Sequence, residues 1–170
     1  MTTVFLVLHV LAAIIAIGPI AVAGSLFPRA VRQLAAAGPS GAAGEADAEV
    51  PAGTLGRAEA LANARLLHRI TKIYAVVGAA IPAMGLIVAI RMNILGHGWL
   101  LTSIALTLAA ALVLAFLVLP HQARVVESAE LGQDVDASSA GRLAMLTGIF
   151  NLLWFLVAVL MVAQPRLPSL

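Results

Sequence analysis

The sequence predicts an all-α membrane protein, a bundle of four transmembrane helices. Hydrophobic residues make up 62% of the chain and charged residues 11%, and the mean hydropathy is +1.04. Soluble domains are about 45–50% apolar and about 25% charged. The charged residues cluster between four apolar runs, each long enough to cross a hydrocarbon core of about 30 Å. The predicted spans are residues 4–27, 73–90, 99–119 and 143–163.

Composition also excludes several classes of function. The chain has no cysteine, which rules out disulfides, thiolate metal sites, iron–sulfur clusters and cysteine nucleophiles. A net charge of +2, scattered along the chain, does not favour nucleic acid as a partner. No acidic residue lies inside a predicted span, so a carboxylate proton relay or metal site within the membrane is not expected.

The first span begins at Val4 and ends at Phe27-Pro28-Arg29. Ala21-Val22-Ala23 resembles a signal-peptide cleavage site, but no Lys or Arg precedes the apolar run, so we expect a retained helix. Small or polar residues recur at steps of three and four and give this helix a small-residue face. That face consists of His9, Ala12, Ala16, Pro19 and Ala23.

A polar region separates the first two spans. Residues 33–56 are rich in Gly, Pro, Ala and Ser and cannot bury enough apolar surface to offset chain entropy, which predicts a flexible loop. Residues 55–72 become helical in pattern again and predict an interfacial helix that runs directly into the second span. The expected contacts with a partner's carboxylates or with lipid phosphates are Arg29, Arg32, Arg57 and Arg65.

The second span is the helix around which the bundle is predicted to pack. Its other faces carry large apolar side chains such as Val77 and Ile81, which are expected to face lipid. Lipid solvates such side chains as well as protein does, so membrane helices associate where small residues let backbones approach. Pro82 removes a backbone N–H and is expected to kink the helix. The packing face runs through His68, Thr71, Ala75, Gly78, Pro82, Gly85 and Ala89, with Gly78, Pro82 and Gly85 as the assigned helix-packing residues.

The last two spans each carry one notable polar or aromatic residue. Trp99 opens the third span and is expected to be an interfacial aromatic anchor. Asn151 is the only amide inside a span, and we expect it to form an interhelical hydrogen bond and so to serve helix packing.

The basic residues predict the orientation of the bundle. Loop 28–72 carries six Lys and Arg and loop 120–142 carries two, whereas loop 91–98 and the C-terminal tail carry one each. By the positive-inside rule, both longer loops are cytoplasmic and both termini are outside. The long loop between the first two helices is therefore expected in the cytoplasm.

The histidines are the candidates for chemistry. His9 is the only one well inside a span, about 8 Å from the boundary by helix rise, and an intramembrane ionisable residue is a functional candidate by default. Two histidines from different helices can hold a b-type haem. Topology allows two same-side pairs, His9 with His97 and His68 with His121. The alternative for His9 is a neutral ring bonded to a neighbouring helix, and for the other three a position facing water and headgroups.

The first span also resembles a known group of proteins. Leu8-His9-Val10-Leu11, with Gly18 nine residues after His9 and Phe27-Pro28-Arg29 at the end, resembles the opening helix of small bacterial four-helix membrane proteins. The group includes an uncharacterised integral-membrane family, the copper-resistance D-like proteins and the HemJ-type protoporphyrinogen oxidases. In HemJ-like proteins the first-helix histidine binds haem, which the resemblance places on His9. This chain lacks their tryptophan after that histidine and their later lysine–histidine pairing, so the uncharacterised branch fits better.

Two functions from different classes follow from these observations. The first is a non-catalytic accessory or assembly subunit of a larger membrane complex, for example a respiratory one, in the bacterial plasma membrane. Its partners are then lipid and larger membrane-protein subunits, with no cofactor, no metal and no catalytic residue. The alternative is a b-type haem-binding redox protein that uses His9 as a haem ligand.

Overall fold

Four long helices account for the regular structure of the computed structural model, which describes residues 2–39 and 56–163. We number them α1 (Thr2–Ala36), α2 (Arg57–Met92), α3 (Gly98–Glu130) and α4 (Ser138–Ala163). Each contains a segment long and apolar enough to cross a membrane, so the predicted set of four such helices is confirmed. Most of the predicted loop 33–56 lies outside the described residues, and Gln33–Ala36 belong to α1 instead.

Three of the helices are longer than a membrane span requires. α1, α2 and α3 contain 35, 36 and 33 residues, or about 50–54 Å at 1.5 Å per residue, against about 30 Å of hydrocarbon. α1 continues past Pro28, where the sequence suggested that the span closes. Pro28 has no N–H for the carbonyl of Gly24, but the Thr147 hydroxyl of α4 donates to that oxygen at 3.4 Å. Because the freed carbonyl finds a partner, the helix continues.

A π-helical segment, Val113–Val118, lies in the middle of α3. The N–H of Leu119 donates to the carbonyl of Leu114, five residues back, which widens the helix by one residue. Pro120 follows directly; it has no N–H for the carbonyl of Phe116, and its ring crowds that carbonyl. The wider turn gives that ring room.

The interior is built from separate clusters along the bundle. α1 packs most extensively on α2, and α4 packs on both α1 and α3. The largest cluster joins the C-terminal end of α1, the start of α2 and the α3–α4 connection. We call residues 30–39, 57–68 and 125–141 the head, and the opposite end, at Asn93–Gly98, the turn end. Fully buried side chains of the head are Ala30, Val31, Leu34, Ala60 and Ala64.

The turn end is closed by Trp99, which is not the surface anchor that the sequence suggested. The indole is only 9% exposed and packs with Ala89, Leu100 and Met161. The preceding turn is tight because Asn93 adopts φ 54° and its N–H bonds the carbonyls of Ala89 and Ile90. This left-handed C-cap reverses the chain and directs Trp99 back over the helix ends.

Candidate functional site

Contacts between the helices fix their relative heights. Gly24 of α1 contacts Thr147 of α4, Gly78 of α2 adjoins Ile20 of α1, and His68 of α2 contacts Gln122 of α3. From each contact, the height of any other residue along the bundle follows from the number of residues between them and the helix rise. By this count, four exposed arginines, one on each helix, lie within about one helical turn of the same height. We call this set the arginine belt: Arg29, Arg69, Arg124 and Arg142.

The distance from the arginine belt to the turn end matches the thickness of a membrane. From Arg69 to Arg91 on α2 is 22 residues, or about 33 Å by helix rise, close to the thickness of a hydrocarbon core. The turn end therefore lies about one membrane thickness from the belt, and the head extends beyond it. Charged side chains at the ends of apolar spans are typical of the level of lipid headgroups.

His9 lies against α2 in the half of the bundle nearer the turn end. The imidazole is 6% exposed, and its Nδ1 has no hydrogen-bond partner among the described residues. A Cβ added to Gly85 would lie 3.0 Å from Cε1 and 3.4 Å from Nε2 of the ring. Gly85 thus lets the backbone of α2 close over this edge of the imidazole.

The surroundings of the ring bear on the predicted haem at His9. An iron ligand needs an open coordination position at a ring nitrogen; Nδ1 is enclosed within the chain, and the backbone of α2 passes close to the Cε1–Nε2 edge at Gly85. α2 ends at Met92, about 10 Å beyond Gly85 by helix rise, and His97 follows in the turn after that end. Its exposed ring is 3.0 Å from the carbonyl of Ile94. The structure does not bring His9 and His97 together.

His68 pairs with an amide that the sequence interpretation missed. Its Nδ1 lies 3.3 Å from Oε1 of Gln122, to which the Nδ1-protonated tautomer donates. Gln122 is completely buried, although it lies just past the predicted end of the third span at residue 119. The signal that could have found it is the helical pattern continuing beyond Pro120. Across the described residues, no three His, Cys, Asp or Glu side chains form a possible metal site.

The other assigned packing residues occupy different sides of the bundle. Asn151 Nδ2 donates to the Ser25 hydroxyl at 3.3 Å and so links α4 to α1. A Cβ on Gly78 would lie 3.7 Å from Ile20, an ordinary contact. Pro82 is exposed and lies on the side of α2 adjacent to the one that faces α1.

The buried face of α2 differs from the predicted one at Ile81. This side chain is 5% exposed, although the sequence placed it toward lipid. Ile81 lies between Gly78 and Gly85 at steps of three and four, and these two glycines adjoin Ile20 and His9 of α1. The predicted small-residue face is therefore two adjacent faces, one toward α1 and one toward α3.

The second face of α2 borders a cavity of about 150 Å³, which we call the α2–α3 groove. Ala75, Ala79 and Pro82 line it from α2, and Ala111 and Ala115 line it from α3. α2 and α3 meet mainly at the head and at their connecting turn, which leaves this middle stretch open. Ile20, Phe150 and Trp154 form its floor from α1 and α4.

In the head, Arg57 joins the ends of three helices. Its guanidinium donates to the carbonyl of Gly38, just after α1, and to those of Ala129 and Gln133 at the end of α3, at 3.3 and 2.8 Å. Such donors stabilise helix C-termini, whose last carbonyls lack partners. Arg65 forms an exposed ion pair with Glu130 at 2.7 Å. Arg57 and Arg65, expected to contact a partner, are thus used within the chain.

No protein-family model matches the chain, and no curated protein or solved structure matches it either.

Proposed function

We propose that the protein is a non-catalytic accessory or assembly subunit of a larger membrane complex, such as a respiratory complex. The observation that carries this proposal is the head, in which α1, α2 and α3 continue unbroken from the membrane into a separate core. Because the same helices form the membrane-spanning part and the head, they hold the head in a fixed position relative to the membrane-spanning part. The head is then a fixed platform outside the membrane, suited to holding a neighbouring subunit.

The distribution of burial supports the same proposal. Only 17–28% of the residues in each membrane-crossing window are buried within the chain, so most of this surface is left for lipid or for other helices. Two polar side chains in the bundle form interhelical bonds, Asn151 with Ser25 and Thr147 with Gly24. Bonds of this kind hold helices together at about 0.6–2 kcal/mol each.

The orientation that we propose puts the head in the cytoplasm of a bacterium and both termini outside the plasma membrane. The arginine belt supports this, since basic residues adjoining membrane spans are retained on the cytoplasmic side. Eight of the ten Lys and Arg residues lie in the two sequence segments that meet at the head.

The test is isolation of the protein from its native membrane through a tag after Leu170, in mild detergent, followed by a native gel. We expect a complex much larger than the 17.5 kDa chain. Arg29→Glu, an exposed change on the head side, is expected to release the partner without lowering the melting temperature. Arg91→Glu, at the turn end, is the matched control and should leave the complex intact. A protein that migrates alone in mild detergent contradicts the proposal.

Haem-based redox chemistry is the alternative that the sequence raised, and the unpartnered Nδ1 of buried His9 keeps it testable. We expect the purified native protein to show no Soret absorption, because His97, the predicted second ligand on the same side, lies against the carbonyl of Ile94 at the turn end. A Soret band that disappears in His9→Ala would favour the redox function over the accessory one.

A further inference from the structure

The α2–α3 groove has the shape of a channel for an extended hydrocarbon chain. Its α3 wall runs from Thr107 to Leu119, about 18 Å by helix rise, and its α2 wall from Ala75 to Pro82, about 10 Å. Both walls run along the helix axes and therefore across the membrane. Ala79, Ala111 and Ala115 are exposed, so the groove opens to the outside of the bundle. An apolar space of this volume does not hold water.

The end of the groove nearest the head carries two basic side chains. Lys72 lies three residues before Ala75 and seven before Ala79, so it continues the same side of α2. One heptad further, Arg65 reaches Glu130 on α3, which shows that this side of α2 faces α3. Arg69 lies one turn from Lys72 and belongs to the arginine belt. Both side chains are exposed and form no ion pair within the described residues.

Negative charge is scarce beside these two cations. α3 has no acidic residue before Glu127, which lies about 9 Å deeper in the head than Arg69 by helix rise. The only acidic residue of α2 is Glu59, ten residues from Arg69. A phosphate at the membrane surface is therefore the natural counter-charge for Lys72 and Arg69.

We propose that the α2–α3 groove binds an anionic phospholipid, with one acyl chain along the groove and its phosphate on Lys72 and Arg69. The geometry combines an apolar channel across the membrane with cations at its headgroup end. A helix of a partner subunit would fill the groove without requiring the two cations. This site concerns lipid and does not depend on the proposed accessory function.

Trp154 provides a direct measurement, because it lines the groove. In Trp99→Phe it is the only tryptophan of the chain. Phosphatidylglycerol with brominated acyl chains, titrated into the detergent-solubilised protein, is expected to quench Trp154. We expect an apparent affinity about tenfold higher than that of brominated phosphatidylcholine with the same chains, since each surface cation adds to anionic-lipid binding.

Two pairs of variants separate the parts of the site. Ala79→Leu fills the groove and should abolish saturable quenching, whereas Ala80→Leu, on the neighbouring exposed position, should not. Lys72→Ala with Arg69→Ala should remove the preference for phosphatidylglycerol, whereas Arg91→Ala should keep it. Native mass spectrometry of the wild-type protein gives a second measurement, in which one phosphatidylglycerol is expected to remain bound. Equal quenching by both lipids, or unchanged quenching in Ala79→Leu, would overturn the proposal.

Discussion

At the scale of single residues, the contact between Gly24, Pro28 and Thr147 shows how this bundle tolerates proline within a helix. Pro28 leaves the carbonyl of Gly24 without its usual helical donor, and Thr147 approaches from α4 closely enough to replace it. That approach requires a glycine, because a Cβ at position 24 would lie 2.9 Å from the Thr147 methyl. Threonine is β-branched and its χ1 is restricted, so it cannot easily turn away.

We therefore expect Gly24→Ala to destabilise the protein. The added methyl group forces α1 and α4 apart and weakens the hydroxyl contact, and overpacking of this kind typically costs about 1–3 kcal/mol. Gly18→Ala is the control in the same helix, because nothing lies within 4 Å of a Cβ there. Thermal unfolding in detergent should show a lower melting temperature for Gly24→Ala only. Equal melting temperatures would show that α4 moves freely.

Residue-level features of this kind were only partly predictable from the sequence. His9 and Asn151 are evident because a polar group within an apolar run is rare. Gly24 was not singled out, since its role depends on Thr147, more than 120 positions away along the chain. Gln122 was assigned to a loop because Pro120 suggested a helix end, whereas the π-helical segment before Pro120 lets the helix continue.

At the scale of elements, α2 presents one side to α1 and another to the groove. Gly85 belongs to the α1 side, where a Cβ would lie 3.0 Å from His9, whereas Gly78 has only an ordinary contact at 3.7 Å. Pattern analysis found both glycines but merged the two sides, since steps of three and four do not separate positions only about 60° apart around a helix.

The two glycines should therefore differ when replaced by a large side chain. We expect Gly85→Leu to lower the melting temperature in detergent more than Gly78→Leu, and both more than Ala80→Leu, which is exposed. Ile81, buried in this structure, is unsuitable as a lipid-facing control. If the two glycine variants melt at the same temperature, the close contact between Gly85 and His9 is not important for stability.

The start of α4 has a pH-sensitive cap at Asp136. The hydroxyl of Ser138 and its backbone N–H, the latter at 2.8 Å, both donate to the carboxylate and lower the pKa of Asp136 from its ordinary value of 3.8. A lowered folded-state pKa contributes stability that is present above the unfolded value and lost as the pH falls through the folded one.

Wild-type protein should therefore lose more stability than Asp136→Asn when the pH falls from about 5 to about 3. The asparagine keeps an acceptor at the cap but has no proton to gain. Melting temperatures of the two proteins across this range make the comparison. Parallel pH profiles would mean that the ionised cap does not stabilise the start of α4.

At the scale of the whole molecule, hydropathy predicted the four helices but not where they end. Apolar length marks the part of each helix that can cross a membrane, and α1, α2 and α3 extend beyond that part into the head. The head escaped sequence analysis because its residues are polar on one side and small on the other, a pattern that also suits an interfacial helix. The resemblance to known four-helix proteins and the haem at His9 stay predictions.

Orientation is the whole-molecule prediction that is simplest to test, because the chain has no cysteine of its own. Ala137→Cys at the head and Gly96→Cys at the turn end are both exposed. In intact cells, a membrane-impermeant maleimide is expected to label Gly96→Cys at once and Ala137→Cys only after permeabilisation. The reverse pattern would place the head outside the cell.

The π-helical segment of α3 sets the rotational phase between the membrane part and the head. Its one extra residue turns everything after Leu119 by about 100° relative to an uninterrupted α-helix. Gln122 meets His68, and Glu130 meets Arg65, only in this phase. An uninterrupted α-helix of the same length would point both of these side chains away from α2, because the extra residue would turn them by one position around the helix. The irregular turn is thus what puts the two halves of α3 in register with the same neighbour.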